Sequence, residues 1–302
     1  MSSYNIPGSI RDVVQAGSIP VSYQRVGHGP NLLFVHGWPF NGNTWRNVVP
    51  HLTGYTSYVL DLPGTGGSSG PDQGPLTIDD HARTVAGIID ALGLDEVTLV
   101  AQDSGGMIAR NVAAMRPDEV KALLLAGTEI PHDHATLVVL FKLLARLPGA
   151  RQMFRFSMGN RFIARTPLIL GGTVHDRSFL DGEFRDNLLR PILTDKAAMT
   201  AVVEMIRNFS LADIDALADV HPTLTMPTLL IFGEDDRFFP ADKARDMAQQ
   251  FGGPTTFVSV PDAKLFVHEE YPGVVAGHML AFLADWLPSD SSAAATPETQ
   301  PN

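Results

Sequence analysis

The sequence predicts an α/β protein, a mostly parallel sheet flanked by helices and interrupted by an inserted helical cap. Three observations lead there. Short, continuous apolar runs of strand length recur along the chain with amphipathic helical patterns between them, which is the rhythm of βαβ units covered on both faces. One long stretch, 131–217, breaks that rhythm with helical patterns only. At 97–109 a strand runs through a turn of small residues straight into a helix.

In chain order, alternating and β-branched runs at Arg11–Val14 and Val21–Val26 predict an antiparallel entry, followed by a buried strand at Asn31–Val35. Further strands are expected at Ser57–Leu60, Val97–Ala101, Ala122–Ala126, Thr228–Phe232 and Thr255–Val260. Helices are expected at Ile78–Leu92 and Gly106–Met115, and in the insertion at Ala135–Leu147 and Lys196–Phe209. The division is 1–130 as the first part of the core, 131–217 as the cap, 218–288 as the second part of the core, and 289–302 as a disordered tail rich in Ser, Ala, Thr and Pro. An insertion of this kind is expected over the strands' C-terminal ends, where an open α/β sheet has its ligand crevice.

Composition narrows the function. The 302 residues are 44% hydrophobic and 18% charged, with no cysteine and a formal net charge of -11. Absence of cysteine removes disulfides, thiolate metal sites and a cysteine nucleophile together. The negative balance disfavours phosphate backbones and anionic lipid, so neither nucleic acid nor membrane is an expected partner. The chain start lacks the basic and apolar regions of a signal peptide, and no stretch approaches about 18 uninterrupted apolar residues; a cytoplasmic protein is expected. A small-molecule substrate fits best, no cofactor is called for, and a homodimer is compatible with the sequence.

The segment Val97-Thr98-Leu99-Val100-Ala101-Gln102-Asp103-Ser104-Gly105-Gly106 carries the chemistry. Small residues two positions either side of Asp103 are what a strained strand–helix turn needs, so Asp103 stands at its tip. Ser104 has Gln102 in the corresponding place and is the poorer nucleophile; its backbone N–H points toward an oxyanion instead. Upstream, Phe34-Val35-His36-Gly37-Trp38-Pro39 ends a strand in a tight turn and supplies the Trp38 N–H as a second donor. His36 is expected to shape that turn through hydrogen bonds. Pro63-Gly64-Thr65-Gly66-Gly67-Ser68 lacks the lysine of a phosphate-binding loop and reads as a plain loop.

These motifs, followed in order by a strand ending Phe232-Gly233-Glu234-Asp235-Asp236, resemble the α/β-hydrolase fold in its aspartate-nucleophile branch, which includes epoxide hydrolases and haloalkane dehalogenases. The resemblance covers almost the whole chain. It implies that Asp103 attacks an sp³ carbon to form an alkyl ester, that an Asp placed like Asp236 orients a histidine, and that this histidine activates the water that clears the ester. Asp235 and Glu129 are alternatives for the acid. The family's histidine falls where this chain reads Leu265, in Ala263-Lys264-Leu265-Phe266-Val267-His268. His268, three residues later, is the nearest candidate base, with His278 inside the last helix and Lys264 an electrostatic helper.

Family members also differ from this chain in the cap. No Tyr lies between Pro131 and Leu217, so the tyrosines that protonate an opening epoxide in similar enzymes are missing. The Trp that follows the nucleophile in haloalkane dehalogenases is Ser104 here, and their Asn after His-Gly is Trp38. His132 and His134 are candidates for the proton donor. With the acid between them they show no third ligand at helical spacing, and no metal is expected. Three readings follow: an epoxide hydrolase-like enzyme impaired in hydrolysis; a non-hydrolytic cyclase, isomerase or lyase using Asp103 as acid and base; and an inactive binding relative.

Overall fold

The computed structural model describes residues 5–68, 70 and 76–287; the tail expected at 289–302 lies outside them. Eight strands form one sheet: β1 (Ile10–Ala16), β2 (Ile19–Gly27), β3 (Asn31–Val35), β4 (Thr56–Leu60), β5 (Val97–Gln102), β6 (Val120–Ala126), β7 (Thr228–Gly233) and β8 (Thr255–Val260). Their order is β1-β2-β4-β3-β5-β6-β7-β8, with β1–β2 and β2–β4 antiparallel and every later pair parallel. Both faces are covered, which explains why the parallel strands read as unbroken apolar runs.

The helices are α1 (Ile78–Leu92), α2 (Ser104–Met115), α3 (Thr136–Leu144), α4 (Ala150–Gly159), α5 (Arg161–Ala164), α6 (Arg190–Thr194), α7 (Lys196–Asn208), α8 (Leu211–Val220), α9 (Ala241–Met247), α10 (Val267–Glu270) and α11 (Pro272–Trp286). Thr77 and Asp80 close a capping box at the start of α1, and Gly93 ends it in the left-handed conformation. Helices α3 to α8 all fall between β6 and β7, so the helical stretch read from the sequence is an insertion between two adjacent parallel strands.

Alternation along the strands sorts the core into two clusters. Leu33, Val35, Leu99, Ala101, Leu123 and Leu125 pack with α1, α2 and the inserted helices. Leu32, Phe34, Val100, Leu124 and Ile231 face α11 with Trp45 and Val267. Strands β5 and β6 run in register from Thr98↔Ala122 to Gln102↔Ala126, so the residues that follow them emerge side by side. That pairing builds the site. Among the described residues, no helix is long and apolar enough to cross a membrane.

Candidate active site

Asp103 occupies a left-handed backbone conformation, φ 53° and ψ -139°, between the end of β5 and the first residue of α2. Such a conformation is uncommon for a residue with a Cβ and persists only where the surroundings impose it. They do so by crowding: a Cβ on Gly105 would stand 2.6 Å from the His36 carbonyl oxygen, and one on Gly37 would stand 2.4 Å from the Asp103 Cβ. Only glycine lets the two turns approach this closely. The Asp103 N–H donates to the Gly127 carbonyl across to the end of β6, at 2.8 Å.

Two backbone donors converge on one oxygen of this carboxyl. The Ser104 N–H donates to Asp103 Oδ1 at 2.6 Å and the Trp38 N–H at 3.0 Å, the latter shared with Ser104 Oγ at 3.0 Å. Both backbone donors are on Oδ1, so Oδ2 accepts no backbone hydrogen bond among the described residues. Trp38 is fixed from both ends, since its indole N–H donates to the Val202 carbonyl on α7 at 2.8 Å. His36 is buried and neutral: the Leu62 N–H donates to its Nε2 at 3.0 Å, so the ring proton sits on Nδ1, 3.0 Å from the Gly37 carbonyl. Burial lowers its pKa further. It shapes the loop.

Asp103 and Ser104 line a cavity of about 30 Å³ together with Trp38, Glu129 and the apolar side chains of Val138, Met205, Ile206, Phe209 and Phe239. That volume holds about one water. Trp38 and Met205 also line a cavity of about 350 Å³, bounded by His36, Phe40, Pro63, Thr65, His81 and α7. The larger one is of substrate size. Glu129, which the sequence offers only as an alternative to Asp236, shares the cavity with Asp103. Burial pushes both pKa values up, and the charge of Asp103 raises Glu129 further against the opposing pull of Arg110.

Asp236 follows β7. Its Oδ1 accepts from the Phe238 and Phe239 N–H groups at 2.8 and 3.2 Å, while its buried Oδ2 has no partner. Burial, reinforced by the charge of Asp103, raises its pKa to about 7. A point placed where a Gly127 Cβ would be lies 3.4 Å from Leu265 Cδ1 and 3.8 Å from Asp236 Oδ2, so both side chains meet over Gly127. Lys264 donates to the Val174 carbonyl at 3.1 Å. Asp235 is exposed, with His175 and Asp262; these three could hold a cation by spacing alone, and all are at the surface.

Since the folded Asp236 carboxyl titrates above its ordinary 3.8, the folded state binds more protons than the unfolded chain between those values, and stability falls as pH rises across them. Asp236→Asn removes that slope. Its stability relative to the parent should grow from about pH 4 to pH 7 and then level off, by at most on the order of 4 kcal/mol. Chemical denaturation across that pH range checks it, and a pH-independent difference would place the proton elsewhere.

Three sequence expectations require correction. His268 is not at this cavity. It is fully buried, its Nε2 lies 2.7 Å from Thr44 Oγ1, and its ring packs on Trp45 at 4.7 Å, in the cluster facing α11. The Thr44 hydroxyl donates to Glu269 Oε1 at 2.9 Å, so His268 donates from Nε2; burial, with Arg46 nearby, drops its pKa to about 3. Such an imidazole is too weak and too distant from the elbow to serve as its base. His132 and His134 do not face the cavity either. Both gather on Asp215 of α8, through the His132 N–H at 3.0 Å and His134 Nε2 at 2.9 Å, and the His132 side chain is 70% exposed. The turn at His132, φ 63°, carries them outward. His278 lies within α11, on the other side of the sheet from the elbow.

His81 was not singled out in the sequence, yet it lines the larger cavity. Its spacing with Ile78, Ala82, Val85 and Ile89 on the buried face of α1 was the available signal.

The sheet order, the turn that presents Asp103 and the helical insertion define a hydrolase architecture. The chain belongs to the α/β-hydrolase fold family, whose pattern it matches over residues 30–272, and to its haloalkane dehalogenase and epoxide hydrolase branch. It is 30% identical to haloalkane dehalogenase 2 of Mycobacterium tuberculosis over 86% of this chain and 90% of that one. It is 27% identical to a haloalkane dehalogenase of Mesorhizobium japonicum over 95% and 96% of the two chains. The solved structure of the epoxide hydrolase CorEH superposes with a TM-score of 0.79 at 21% identity, covering 92% of this chain and 99% of that one; it supports the fold.

Proposed function

We propose that this hydrolase acts as an epoxide hydrolase-like enzyme on a small to medium, mostly apolar neutral substrate. Asp103 is its nucleophile, the Trp38 and Ser104 N–H groups its anion-stabilising donors, and Asp236 its supporting acid. The observation that carries the reading is the pair of backbone N–H groups on Asp103 Oδ1 at a strained turn. When Oδ2 bonds to carbon, Oδ1 becomes the ester carbonyl oxygen, and the same donors then stabilise the charge that develops on it during ester hydrolysis. Leu265 stands at the family's base position in this reading, so alkylation outruns hydrolysis and the ester persists.

The likeness to dehalogenases and epoxide hydrolases supports an sp³ carbon as the target. The Trp38 indole N–H is taken up by the Val202 carbonyl, and Ser104 stands where dehalogenases place a tryptophan to hold the halide, which favours the epoxide. Labelled water tests the covalent route: repeated cycles in heavy-oxygen water leave label in the Asp103 carboxyl, and product formed without it removes the mechanism. A second reading, proton transfer without hydrolysis, draws on the apolar walls of Val138, Met205, Ile206 and Phe209. A product equal in mass to its substrate, with activity lost in Asp103→Asn, would favour it.

Trp38 and Met205 partition the two cavities. Trp38→Ala keeps the backbone donor while removing the wall, and should shift preference toward bulkier substrates by about 10-fold or more in relative kcat/KM, the scale of a few methylene groups in an apolar pocket. A substrate-length series reads this out; an unchanged length profile would show that the body of the substrate lies elsewhere.

A further inference from the structure

We infer that Glu129 is the proton donor of this site, delivering a proton to the oxygen that leaves the carbon under attack by Asp103. The inference rests on the nucleophile reading above and narrows it, because only a substrate whose leaving oxygen stays on the product, such as an epoxide, needs that proton. The cap tyrosines of similar enzymes are missing here, and His132 and His134 are turned to Asp215.

The hydrogen-bond arithmetic at Thr128 supports a protonated Glu129. Thr128 Oγ1 lies 3.0 Å from the Asp103 carbonyl oxygen, 2.9 Å from Glu129 Oε2 and 2.8 Å from Arg110 Nη2. A hydroxyl has one hydrogen and two lone pairs. Arg110 donates to it, and when the hydroxyl's hydrogen goes to the Asp103 carbonyl, which also accepts from the Gly106 N–H at 2.7 Å, the second lone pair faces Glu129. All three contacts are hydrogen bonds when Glu129 carries a proton and donates it to Thr128. The groups around Glu129 are the Asp103 carboxyl, which favours that proton, and Arg110, whose Nη2 is 4.0 Å from Oε2 and opposes it. His221, buried and largely neutral, lies 3.0 Å from Arg110 Nη1. Val138, Met205, Ile206 and Phe209 close the cavity with no charge.

The step balances. As the bond from Asp103 Oδ2 to carbon forms, the carbon–oxygen bond of the epoxide breaks, and the electron pair goes to the ring oxygen. That oxygen takes the Glu129 proton. The product is a hydroxyalkyl ester on Asp103 with a carboxylate on Glu129, and net charge is unchanged.

The test is the rate of Asp103 alkylation by 1,2-epoxyhexane and by 1-bromohexane, followed by intact-protein mass and peptide mapping. Bromide leaves without a proton. Glu129→Gln is expected to lower the epoxide rate by about 10²-fold or more relative to the bromide rate, the scale of a general acid. In the parent protein the epoxide rate falls on the alkaline side as Glu129 loses its proton, while the bromide rate does not. Parallel losses with both probes, or an epoxide rate unmoved by the substitution, would overturn the assignment. If Glu129→Gln does not fold, the two parent pH profiles decide, and coincident profiles overturn it. A parent protein that takes up neither probe at Asp103 shows instead that the nucleophile reading has failed, and the donor role with it.

Discussion

Leu265→His is expected to raise hydrolytic turnover about 10²- to 10⁴-fold, the contribution typical of a positioned general base. Leu265 and the unpartnered Oδ2 of Asp236 meet over Gly127, whose carbonyl holds the Asp103 N–H. An imidazole there gives Asp236 Oδ2 the N–H it lacks, and the carboxylate in turn fixes the tautomer that takes a proton from water. The same change should lower the pKa of Asp236, since the carboxylate gains a hydrogen bond that favours its charged form. Ester decay after a single alkylation and steady-state turnover both read the effect. A folded variant that hydrolyses epoxides, esters and halides no faster than the parent would show that the pocket serves other chemistry.

Glu269→Ala is expected to destabilise the protein by about 3–5 kcal/mol, because it strands a buried cation. Arg46 Nη1 donates to both oxygens of Glu269 at 2.9 Å, with side chains 1% and 0% exposed, and the Thr44 hydroxyl links this pair to His268. The removal leaves the guanidinium without its counter-charge in the cluster around Trp45. Urea unfolding measures the loss, and a double change of Arg46 and Glu269 to apolar residues of similar size should recover much of it. Because this network lies on the α11 side of the sheet, alkylation of Asp103 per folded molecule should stay near the parent rate. A loss of alkylation without loss of stability would contradict the separation of this network from the Asp103 cavity.

The fold was legible because its parallel strands are buried on both faces. The run Asn31–Val35 coincides with β3 for that reason; Thr255–Val260 coincides with the partly buried edge strand β8 through its β-branched and aromatic residues, and the helix Ile78–Leu92 coincides with α1, which carries both cap signals. The turn at Asp103 was legible from the small residues that its crowding demands. The position of Glu129 was not, since it depends on the β5–β6 register that brings Asp103 and Glu129, 26 residues apart in the chain, to one cavity. Nor was that of His268: the chain after β8 passes from one core cluster to the other between Phe266 and Val267, so three residues of separation from Leu265 become a change of sheet face. Spacing along a loop carries no such information.

The nucleophilic role of Asp103 is tested most directly by intact-protein mass after exposure to a panel of epoxides and alkyl halides. The expected result is a stable adduct of one substrate per chain, mapped to the peptide containing Asp103, absent from Asp103→Asn, and short-lived in Leu265→His. A parent protein that turns over these compounds with no adduct in any variant, or that carries the adduct on another residue, would contradict it.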